Sequence, residues 1–196
     1  MTPSHLLYLH GFRSSPQSTK ARHVAAWLRL HRPDVHWCCP QLPASPREAM
    51  ALVFAQIDRW PRHSMAVIGS SLGGFYATAV AERDGCRAVL LNPAVDPARD
   101  LAHHIGATTA WHDPRERLFF RPDYIDELRA LAVPGITRPE RYLAIVAKGD
   151  EVLDWREMTA RYAGAHIELL EGGDHTLSDF DKHLPGVMRF LELAPA

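Results

Sequence analysis

Short apolar runs alternate with amphipathic segments along most of the chain, and this alternation predicts the fold. Six runs are almost entirely apolar and have strand character; they occupy residues 6–9, 35–39, 65–68, 87–91, 142–147 and 167–170. Strands that are apolar on both faces are typical of a parallel sheet covered by helices on each side. The pattern therefore predicts an α/β domain built on one mostly parallel sheet of six strands.

Segments with helical character fill most of the intervals between these runs. They occupy residues 20–30, 46–60, 76–83, 124–131, 154–162 and 180–193. The second segment has a clear start signal, because Ser45 can cap the helix, Pro46 suits its first turn and Glu48 stands three residues after the cap. Right-handed crossovers and a central third strand favour the strand order 2-1-3-4-5-6.

Length and charge set the class of protein. The chain has 196 residues and a formal net charge of −1, so we expect one domain, residues 1–196, without electrostatic bias toward nucleic acid or an anionic membrane. Its three cysteines, two of them adjacent, suggest no disulfide framework. Residues 1–10 lack the basic segment of a signal peptide and an apolar run of membrane-spanning length, so a cytoplasmic location is expected.

The third apolar run leads into Gly69-Ser70-Ser71-Leu72-Gly73, and a helix-forming segment follows at once. This is the strand–turn–helix context of a nucleophile elbow, in which a sharp turn exposes a serine hydroxyl beside a base. The turn needs glycine two residues before and two residues after the serine, and only Ser71 has both. Ser71 is therefore the predicted nucleophile, and the N-terminus of the following helix would favour a developing oxyanion.

Two other interpretations of this motif are open. Gly-x-Ser-x-Gly also arises by chance, so the motif alone is only a hypothesis. A strand, a glycine-rich turn and a helix also describe a dinucleotide-binding fingerprint, which requires an acidic residue at the end of the next strand. Here that strand ends in Asn92-Pro93 and the glycine spacing differs, which disfavours a dinucleotide site.

A serine nucleophile needs a base and an orienting acid, and the last two strands each lead to a candidate. Asp150 follows the fifth strand, and His175 lies in a glycine-rich loop after the sixth. Because the carboxyl ends of parallel strands meet at one edge of a sheet, Ser71, Asp150 and His175 are predicted to form a catalytic triad. The carboxylate would accept the Nδ1–H of the imidazole and fix its tautomer. Glu151 and Asp154 are rival candidates for the acid.

Backbone N–H groups are the predicted donors to an oxyanion. Leu72 follows the nucleophile and Phe12 follows the first strand, so both N–H groups would lie at the same edge of the sheet. His10 is expected to shape this loop rather than to act as the base. The remaining histidines lack metal-ligand spacing such as HExxH, so His103-His104 and His112 with Asp113 are expected to be surface or lid residues.

Five segments carry a family resemblance. They contain Tyr-Leu-His-Gly-Phe-Arg-Ser-Ser-Pro, Gly-Ser-Ser-Leu-Gly-Gly-Phe-Tyr-Ala, Leu-Asn-Pro-Ala-Val, Gly-Asp-Glu-Val-Leu-Asp and Glu-Gly-Gly-Asp-His, at residues 8–16, 69–77, 91–95, 149–154 and 171–175. Together they resemble the YqiA-like small bacterial esterases, and the resemblance spans nearly the whole chain. It implies a minimal α/β-hydrolase fold, a triad of Ser71, Asp150 and His175, and hydrolysis of a carboxylic ester or acyl thioester without a cofactor.

The chain departs from this family in two places. Arg13 stands in the oxyanion-side loop where the family is expected to have asparagine, which changes the charge near the acyl carbonyl. Residues 93–139 match the family poorly beyond their first few positions. The identity of the substrate therefore does not follow from the resemblance.

Residues 93–139 also interrupt the alternation of strands and helices. No strong strand pattern appears there, while helices are predicted at 124–131 and 101–105. The segment is far longer than the usual loop of about 4–6 residues and follows the fourth strand, at the edge where the triad gathers. Its large apolar residues are Leu101, Ile105, Trp111, Leu118, Phe119, Phe120, Tyr124 and Leu128. We predict a small cap in which Trp111, Phe119 or Phe120 faces Ser71 across an apolar pocket; the alternative is that the segment only packs on the sheet.

These residues predict a serine hydrolase that cleaves a small carboxylic ester or acyl thioester through an acyl-enzyme on Ser71. Two alternatives are open. The first belongs to a different class of function and is a binding module on the same fold with an idle triad. The second is another reaction at the same triad, such as cleavage of a peptide or a carbon–carbon bond.

Overall fold

A computed structural model of the chain describes residues 2–110, 115 and 117–194. Its strands are β1 His5–Leu9, β2 His36–Cys38, β3 Met65–Ser70, β4 Arg87–Leu91, β5 Gly106–Thr109, β6 Arg117–Phe120, β7 Tyr142–Ala147 and β8 His166–Leu170. Its α-helices are α1 Thr19–His31, α2 Pro46–Ile57, α3 Leu72–Asp84, α4 Pro97–Asp100, α5 Asp123–Leu131, α6 Trp155–Arg161 and α7 Phe180–Phe190. Short 3₁₀ helices occur at Arg62–Ser64, Ala102–His104 and Pro139–Arg141.

The main sheet has six strands in the order β2-β1-β3-β4-β7-β8, and each neighbouring pair is parallel. Since β7 and β8 are the fifth and sixth strands that the sequence predicts, this is the predicted order 2-1-3-4-5-6, which is confirmed. The sheet places β3, the strand before Ser71, between β1 and β4. All six residues of β3 are buried, as its uninterrupted apolar pattern predicts.

Helices cover both faces of the sheet and form two cores. Alternate residues of a strand point to opposite faces, so Leu7 and Leu9 pack in one core with α2, α3 and α6. Leu6 and Tyr8 pack in the other core with α1 and α7. The predicted start of α2 is also present, because the Ser45 hydroxyl accepts a hydrogen bond from the Glu48 N–H at 3.2 Å.

The segment between β4 and β7 differs most from its prediction. It contains the antiparallel hairpin β5–β6, where no strand is predicted, with Ala107 opposite Phe119. The first of these strands reads Gly-Ala-Thr-Thr, which has no apolar run, and the hairpin lies outside the main sheet. The hairpin is therefore held together by pairing between its own two strands. A search for apolar runs, which predicts buried strands, does not predict such a hairpin. The helix expected at 101–105 is a 3₁₀ turn, Ala102–His104.

Helix α5 fastens this segment to the rest of the domain. Glu127 of α5 accepts hydrogen bonds from the Ser45 hydroxyl at 2.6 Å and from the Arg47 N–H at 3.0 Å, at the start of α2. Near the beginning of the segment, Arg99 donates to both carboxylate oxygens of Glu157 in α6, at 2.9 and 2.7 Å.

None of the helices in the described part of the chain is long and apolar enough to cross a membrane.

Candidate active site

Ser71 lies in the tight turn between β3 and α3. Its φ and ψ angles are 55° and −121°, a conformation that non-glycine residues rarely adopt. The flanking glycines allow the close approach of backbones that this turn requires. A Cβ atom at Gly69 would lie 2.1 Å from the Gly73 carbonyl oxygen, and one at Gly73 would lie 2.0 Å from that of Leu9. These distances account physically for the Gly-x-Ser-x-Gly spacing.

The structure brings together the three side chains that the sequence singles out. His175 Nε2 lies 3.0 Å from Ser71 Oγ, and His175 Nδ1 lies 2.8 Å from Asp150 Oδ2. The Asp150 side chain is fully buried, whereas that of His175 retains 18% exposure. The second oxygen of Asp150 accepts the N–H groups of Val152 and Leu153, both at 2.8 Å. The carboxylate is therefore fixed in the orientation in which it meets the imidazole.

The rival acids have other partners. Glu151 Oε2 accepts a hydrogen bond from the His175 backbone N–H at 3.0 Å, so it supports the loop rather than the imidazole ring. Asp154 caps α6, where its Oδ1 accepts the Arg156 N–H at 2.8 Å. Of the three carboxylates after β7, only Asp150 is hydrogen-bonded to the ring of His175 in the described structure.

The two predicted oxyanion donors belong to the elbow itself and to the loop after β1. Leu72 is the first residue of α3, so its N–H has no acceptor within the helix. The loop after β1 approaches the elbow closely, since a Cβ atom at Gly11 would lie 3.2 Å from the Cβ atom of Ser71. His10 holds this loop: its Nε2 accepts the Leu42 N–H at 3.1 Å, which leaves Nδ1 to donate to the Gly11 carbonyl oxygen at 3.0 Å.

Asn92 contacts the loop of His175, which the sequence analysis did not predict. It is fully buried, and its Nδ2 donates to the carbonyl oxygens of Asp174 and His175 at 2.9 and 3.2 Å. Its Oδ1 accepts the Ala147 N–H at 2.8 Å. The side chain thus ties the end of β4 to the end of β7 and to the loop of His175. Its backbone has a φ of 42°, a conformation that asparagine adopts more readily than most residues.

Two cavities flank Ser71, and His175 borders both. The first, which we name the Tyr8 cavity, has a volume of about 420 Å³ and extends toward the start of α1. The second, the Leu101 cavity, has a volume of about 400 Å³ and extends under the start of the segment between β4 and β7. Each volume falls in the range of about 300–1,000 Å³ that is typical of small-molecule sites.

The segment between β4 and β7 divides into two parts with different surroundings. Its first part, from Ala94 to His104, supplies the wall of the Leu101 cavity. Its second part packs as core, because Phe120, Ile125 and Leu128 are buried with the side chains of α2 and α3. The packing alternative therefore describes the second part of the segment.

The predicted cap aromatics do not line the Leu101 cavity in the described structure. Phe120 is buried and borders a smaller neighbouring cavity of about 180 Å³, while Phe119 is 58% exposed. Trp111, together with His112 and Asp113, lies outside the described residues. The sequence analysis assigns a role only to the backbone N–H of Phe12. In the structure the Phe12 side chain also borders the Tyr8 cavity, the Leu101 cavity and the smaller cavity of Phe120.

The loop after β1 is in direct contact with this segment. The Phe12 ring lies 5.3 Å from the Phe120 ring in an edge-to-face arrangement and 5.4 Å from the His104 ring. Arg13, whose φ is 59°, donates from Nε to the Thr109 carbonyl oxygen and from Nη2 to the Thr109 hydroxyl at 3.3 Å. Its guanidinium is thus bonded to the β5–β6 hairpin, a contact that the sequence analysis did not predict. The effect of Arg13 on the charge near the acyl carbonyl stays a prediction.

Two basic groups at the borders of these cavities have lowered pKa values. Burial lowers the pKa of Lys20 to about 8, although Asp174 and Asp150 oppose this shift. The Lys20 ammonium borders the Tyr8 cavity and donates to the Thr176 carbonyl oxygen. Burial and the adjacent His103 lower the pKa of His104 in the Leu101 cavity.

Within the described residues no group of three or more His, Cys, Asp or Glu side chains is arranged to hold a metal ion.

Comparison with known proteins identifies relatives along almost the whole chain. The model of a family described as "Uncharacterised protein family (UPF0227)" matches residues 5–192. A UPF0227 protein of Serratia proteamaculans (strain 568) is 24% identical over 195 residues, which cover 96% of this chain and 99% of the relative. One of Yersinia pseudotuberculosis serotype O:1b (strain IP 31758) is 23% identical over 196 residues, with the same coverage of 96% and 99%.

Solved structures with the same architecture include several hydrolases. Est1E of Butyrivibrio proteoclasticus, with ferulic acid bound, is 17% identical, has a TM-score of 0.71, and matches over 97% of this chain and 87% of its own. A structure reported for the metagenome-derived lipolytic enzymes LipS and LipT is 19% identical, with a TM-score of 0.70 and coverage of 99% and 96%. Mouse alpha/beta hydrolase domain-containing protein 10 is 16% identical, with a TM-score of 0.69 and coverage of 92% and 85%.

At these identities the structural likeness establishes the fold, and the family model establishes the relationship. Both agree with the family resemblance and the fold class that the sequence predicts. The chain therefore belongs to the uncharacterised protein family UPF0227 and has the α/β-hydrolase fold.

Proposed function

We propose that the protein is a serine hydrolase that cleaves a carboxylic ester or an acyl thioester through an acyl-enzyme on Ser71. The observation that carries this proposal is the continuous chain of contacts from Ser71 Oγ through His175 to Asp150, at 3.0 and 2.8 Å. These distances are within hydrogen-bond reach for proton transfer. The esterase and lipolytic enzymes among its structural relatives agree with this class of reaction.

In the acylation step, Ser71 Oγ attacks the carbonyl carbon of the substrate while His175 Nε2 takes the hydroxyl proton. Asp150 accepts the Nδ1–H of the ring and stabilises the imidazolium that forms. The N–H groups of Leu72 and Phe12 would donate hydrogen bonds to the carbonyl oxygen and stabilise the negative charge that develops on it. The bond to the alcohol or thiol then breaks, and His175 returns the proton to that leaving group.

In the deacylation step, water takes the place of the leaving group. His175 removes a proton from this water, whose oxygen attacks the acyl carbon. The bond to Ser71 Oγ breaks, and the proton passes from His175 back to the serine. The products are a carboxylic acid and the free enzyme. Every bond and proton in the two steps is accounted for without a cofactor or a metal.

We also propose that residues 93–139 form a small cap and that its first part contacts the substrate. Leu101 and His104 border the same cavity as Ser71, which supports this assignment. Bound substrate would exclude water from the Leu101 cavity, which strengthens electrostatic interactions with the transition state. The buried second part anchors the cap to the domain.

Covalent labelling tests the proposal most directly. A fluorophosphonate probe should modify the wild-type protein and should not modify Ser71→Ala. Ester hydrolysis measured on a panel of acyl chains should fall by several powers of ten in kcat in Ser71→Ala and in His175→Ala. Ser70→Ala is the matched control, because Ser70 is the neighbouring hydroxyl but is not hydrogen-bonded to the imidazole in the described residues; its labelling should persist.

The outcomes separate the alternatives. A wild-type protein that forms no adduct and hydrolyses no ester would be the binding module. Labelling at Ser71 without ester or thioester hydrolysis would instead favour cleavage of a peptide or carbon–carbon bond by the same triad. Persistence of the adduct in Ser71→Ala would overturn the assignment of the nucleophile.

A further inference from the structure

Lys20 differs from the other two lysines of the chain in its surroundings. Lys148 and Lys182 each form an ion pair with a carboxylate, at 2.7 and 3.4 Å. Lys20 is only partly buried, yet no carboxylate among the described residues lies within ion-pair distance of its ammonium, which donates to the Thr176 carbonyl oxygen. An ammonium group has further N–H donors beyond this one. Lys20 can therefore bind a second partner.

The Tyr8 cavity extends from Ser71 to Lys20. It shares Ser71 and His175 with the Leu101 cavity, which Lys20 does not border in the described structure. Lys20 and Thr176 also border a separate cavity of about 360 Å³, so they form the far wall of the Tyr8 cavity. The nucleophile and the ammonium thus lie at opposite ends of one cavity, whose apolar wall includes Val152.

The carboxylates around Lys20 are occupied elsewhere. Asp150 and Asp174 act on its charge, but neither lines the Tyr8 cavity in the described structure. Asp150 belongs to the proposed triad, and Asp174 accepts two hydroxyl hydrogen bonds within its own loop, at 2.9 and 2.5 Å. Glu151 does border the cavity, but it also borders the Leu101 cavity and so lies at the Ser71 end. Lys20 is therefore the charged group at the far end.

A partly buried ammonium selects the charge of its ligand. Burial lowers the pKa of Lys20 because the ammonium has lost part of its hydration, and a hydrogen-bonded anion would compensate this loss. A cationic group would be repelled. A carboxylate carries a single negative charge, which one ammonium balances. A phosphate monoester carries about 1.5–2 negative charges at neutral pH and would leave an excess in a cavity that Glu151 also borders.

We infer that the Tyr8 cavity binds a half of the substrate that ends in a carboxylate, and that Lys20 is the specificity-determining residue that binds this carboxylate. The chain between the ester and the carboxylate would lie along the apolar wall. The substrate would be a half-ester or half-thioester of a dicarboxylic acid if its acyl half fills the cavity, and an ester of a hydroxy acid if its alcohol half does. This inference rests on the proposed function, because the cavity selects a substrate only if Ser71 reacts with it.

Matched ester series test this inference. One series pairs monomethyl esters of dicarboxylic acids with methyl esters of monocarboxylic acids of the same length. The other pairs acetate esters of hydroxy acids with acetate esters of alkanols of the same length. In one series, at one length, kcat/KM should be higher for the carboxylate end than for the methyl end. That carboxylate-to-methyl ratio should fall roughly 10- to 100-fold in Lys20→Met, as expected for a lost hydrogen bond to a charged group.

Lys182→Met is the matched control. It removes the same charge from a lysine that borders neither cavity, so its carboxylate-to-methyl ratio should not change. Comparing ratios within one variant cancels any general loss of activity from the missing hydrogen bond to Thr176. Reactions with Ser71→Ala measure the uncatalysed background.

Each result decides the inference separately from the proposed function. If the wild-type protein hydrolyses methyl-ended esters in a Ser71-dependent reaction but prefers no carboxylate end in either series, the hydrolase stands and the inference fails. A carboxylate preference that survives Lys20→Met would also overturn the inference. If no ester of any kind is hydrolysed, the proposed function itself fails.

A binding measurement decides the inference without catalysis. The lysines of Ser71→Ala are given isotope-labelled methyl groups, and the NMR signal of Lys20 is the one that the additional change Lys20→Met removes. A carboxylate-ended ester from one of the two series should shift this signal, whereas its methyl-ended partner should not. Equal shifts with both compounds, or no shift with either, would refute a carboxylate site at Lys20.

Discussion

The side-chain amide of Asn92 donates a hydrogen bond to the backbone carbonyl of His175 across 3.2 Å. The two residues are 83 positions apart in the chain. The same amide donates to the Asp174 carbonyl oxygen, and its oxygen accepts the Ala147 N–H. One fully buried side chain therefore connects the loop that carries the imidazole to the end of β7. It is the only asparagine in the sequence.

Asn92→Ala should lower kcat while leaving KM nearly unchanged, because it frees the loop of His175 without touching the substrate. We expect a decrease of about tenfold or more, equivalent to about 1.4 kcal/mol of transition-state stabilisation. Unfolding should also become easier by about 1–3 kcal/mol, since the Ala147 N–H loses its partner. Tyr162→Phe is a control of similar stability cost, because it removes a buried hydrogen bond to Thr78 remote from the nucleophile. Equal kcat values in the two variants would contradict the positioning role.

Arg13→Asn tests whether the cap positions the loop of Phe12. The change removes the hydrogen bonds to Thr109, and asparagine tolerates the φ of 59° better than arginine does. We therefore expect little change in the free energy of unfolding but a decrease in kcat of roughly 3- to 10-fold, equivalent to about one hydrogen bond. Arg117→Asn, on the same hairpin, should keep its activity. An unchanged kcat in Arg13→Asn would show that the loop keeps its alignment without the cap.

Gly73→Ala should abolish activity and destabilise the protein by about 3 kcal/mol or more, because its Cβ would lie 2.0 Å from the Leu9 carbonyl oxygen. The nearest atoms are all backbone atoms of Leu9 and His10, so no flexible side chain can move away. In Gly186→Ala the nearest atom is Arg189 Nη2 at 3.8 Å, inside α7, so alanine should instead stabilise the helix by about 0.5–1 kcal/mol. Urea titrations of both variants measure the difference, and a stable, active Gly73→Ala would refute the geometry of the elbow.

Leu101→Ala should change the substrate preference, whereas Phe120→Ala should change the stability of the fold. Leu101 borders the cavity beside Ser71, so its truncation should shift the preferred acyl-chain length with little loss of stability. Phe120 is buried in the core, and its truncation should cost about 3–5 kcal/mol. Chain-length profiles and thermal unfolding of both variants check this division of the cap. If Leu101→Ala retained the wild-type profile, the first part of the segment would be scaffold as well.

Lys20→Met should remove part of the dependence of stability on pH. Burial lowers the pKa of Lys20 to about 8 in the folded protein, from 10.5. Between these values the unfolded chain binds more protons than the folded protein, so the free energy of unfolding should rise with pH. Below about pH 8 the lysine is charged in both states, and its cost is constant. Urea titrations at about pH 7 and about pH 10 should show that the rise is smaller in the variant; an equal rise in both proteins would contradict the burial effect.

The sequence predicts the sheet and the places of the three proposed triad residues after its strands, because both depend on local patterns. Apolar runs specify buried strands, and Gly69 and Gly73 specify a turn that only glycine permits. The roles of Asn92 and Lys20 depend on contacts between distant parts of the chain, and nothing adjacent to them in sequence indicates those contacts. The β5–β6 hairpin escapes prediction for a related reason, since it is paired within itself and outside the main sheet.

Strand β8 lies at the edge of the sheet, where it pairs with β7 alone in the described structure, and most of its residues are exposed or only partly buried. The loop that follows it carries His175, which lies 104 residues after Ser71. During synthesis the serine and its elbow therefore emerge long before the imidazole that would activate them. A chain released before its final quarter would contain Ser71 but neither Asp150 nor His175, so the proposed triad can form only after the edge strand β8 and the loop beyond it have been made.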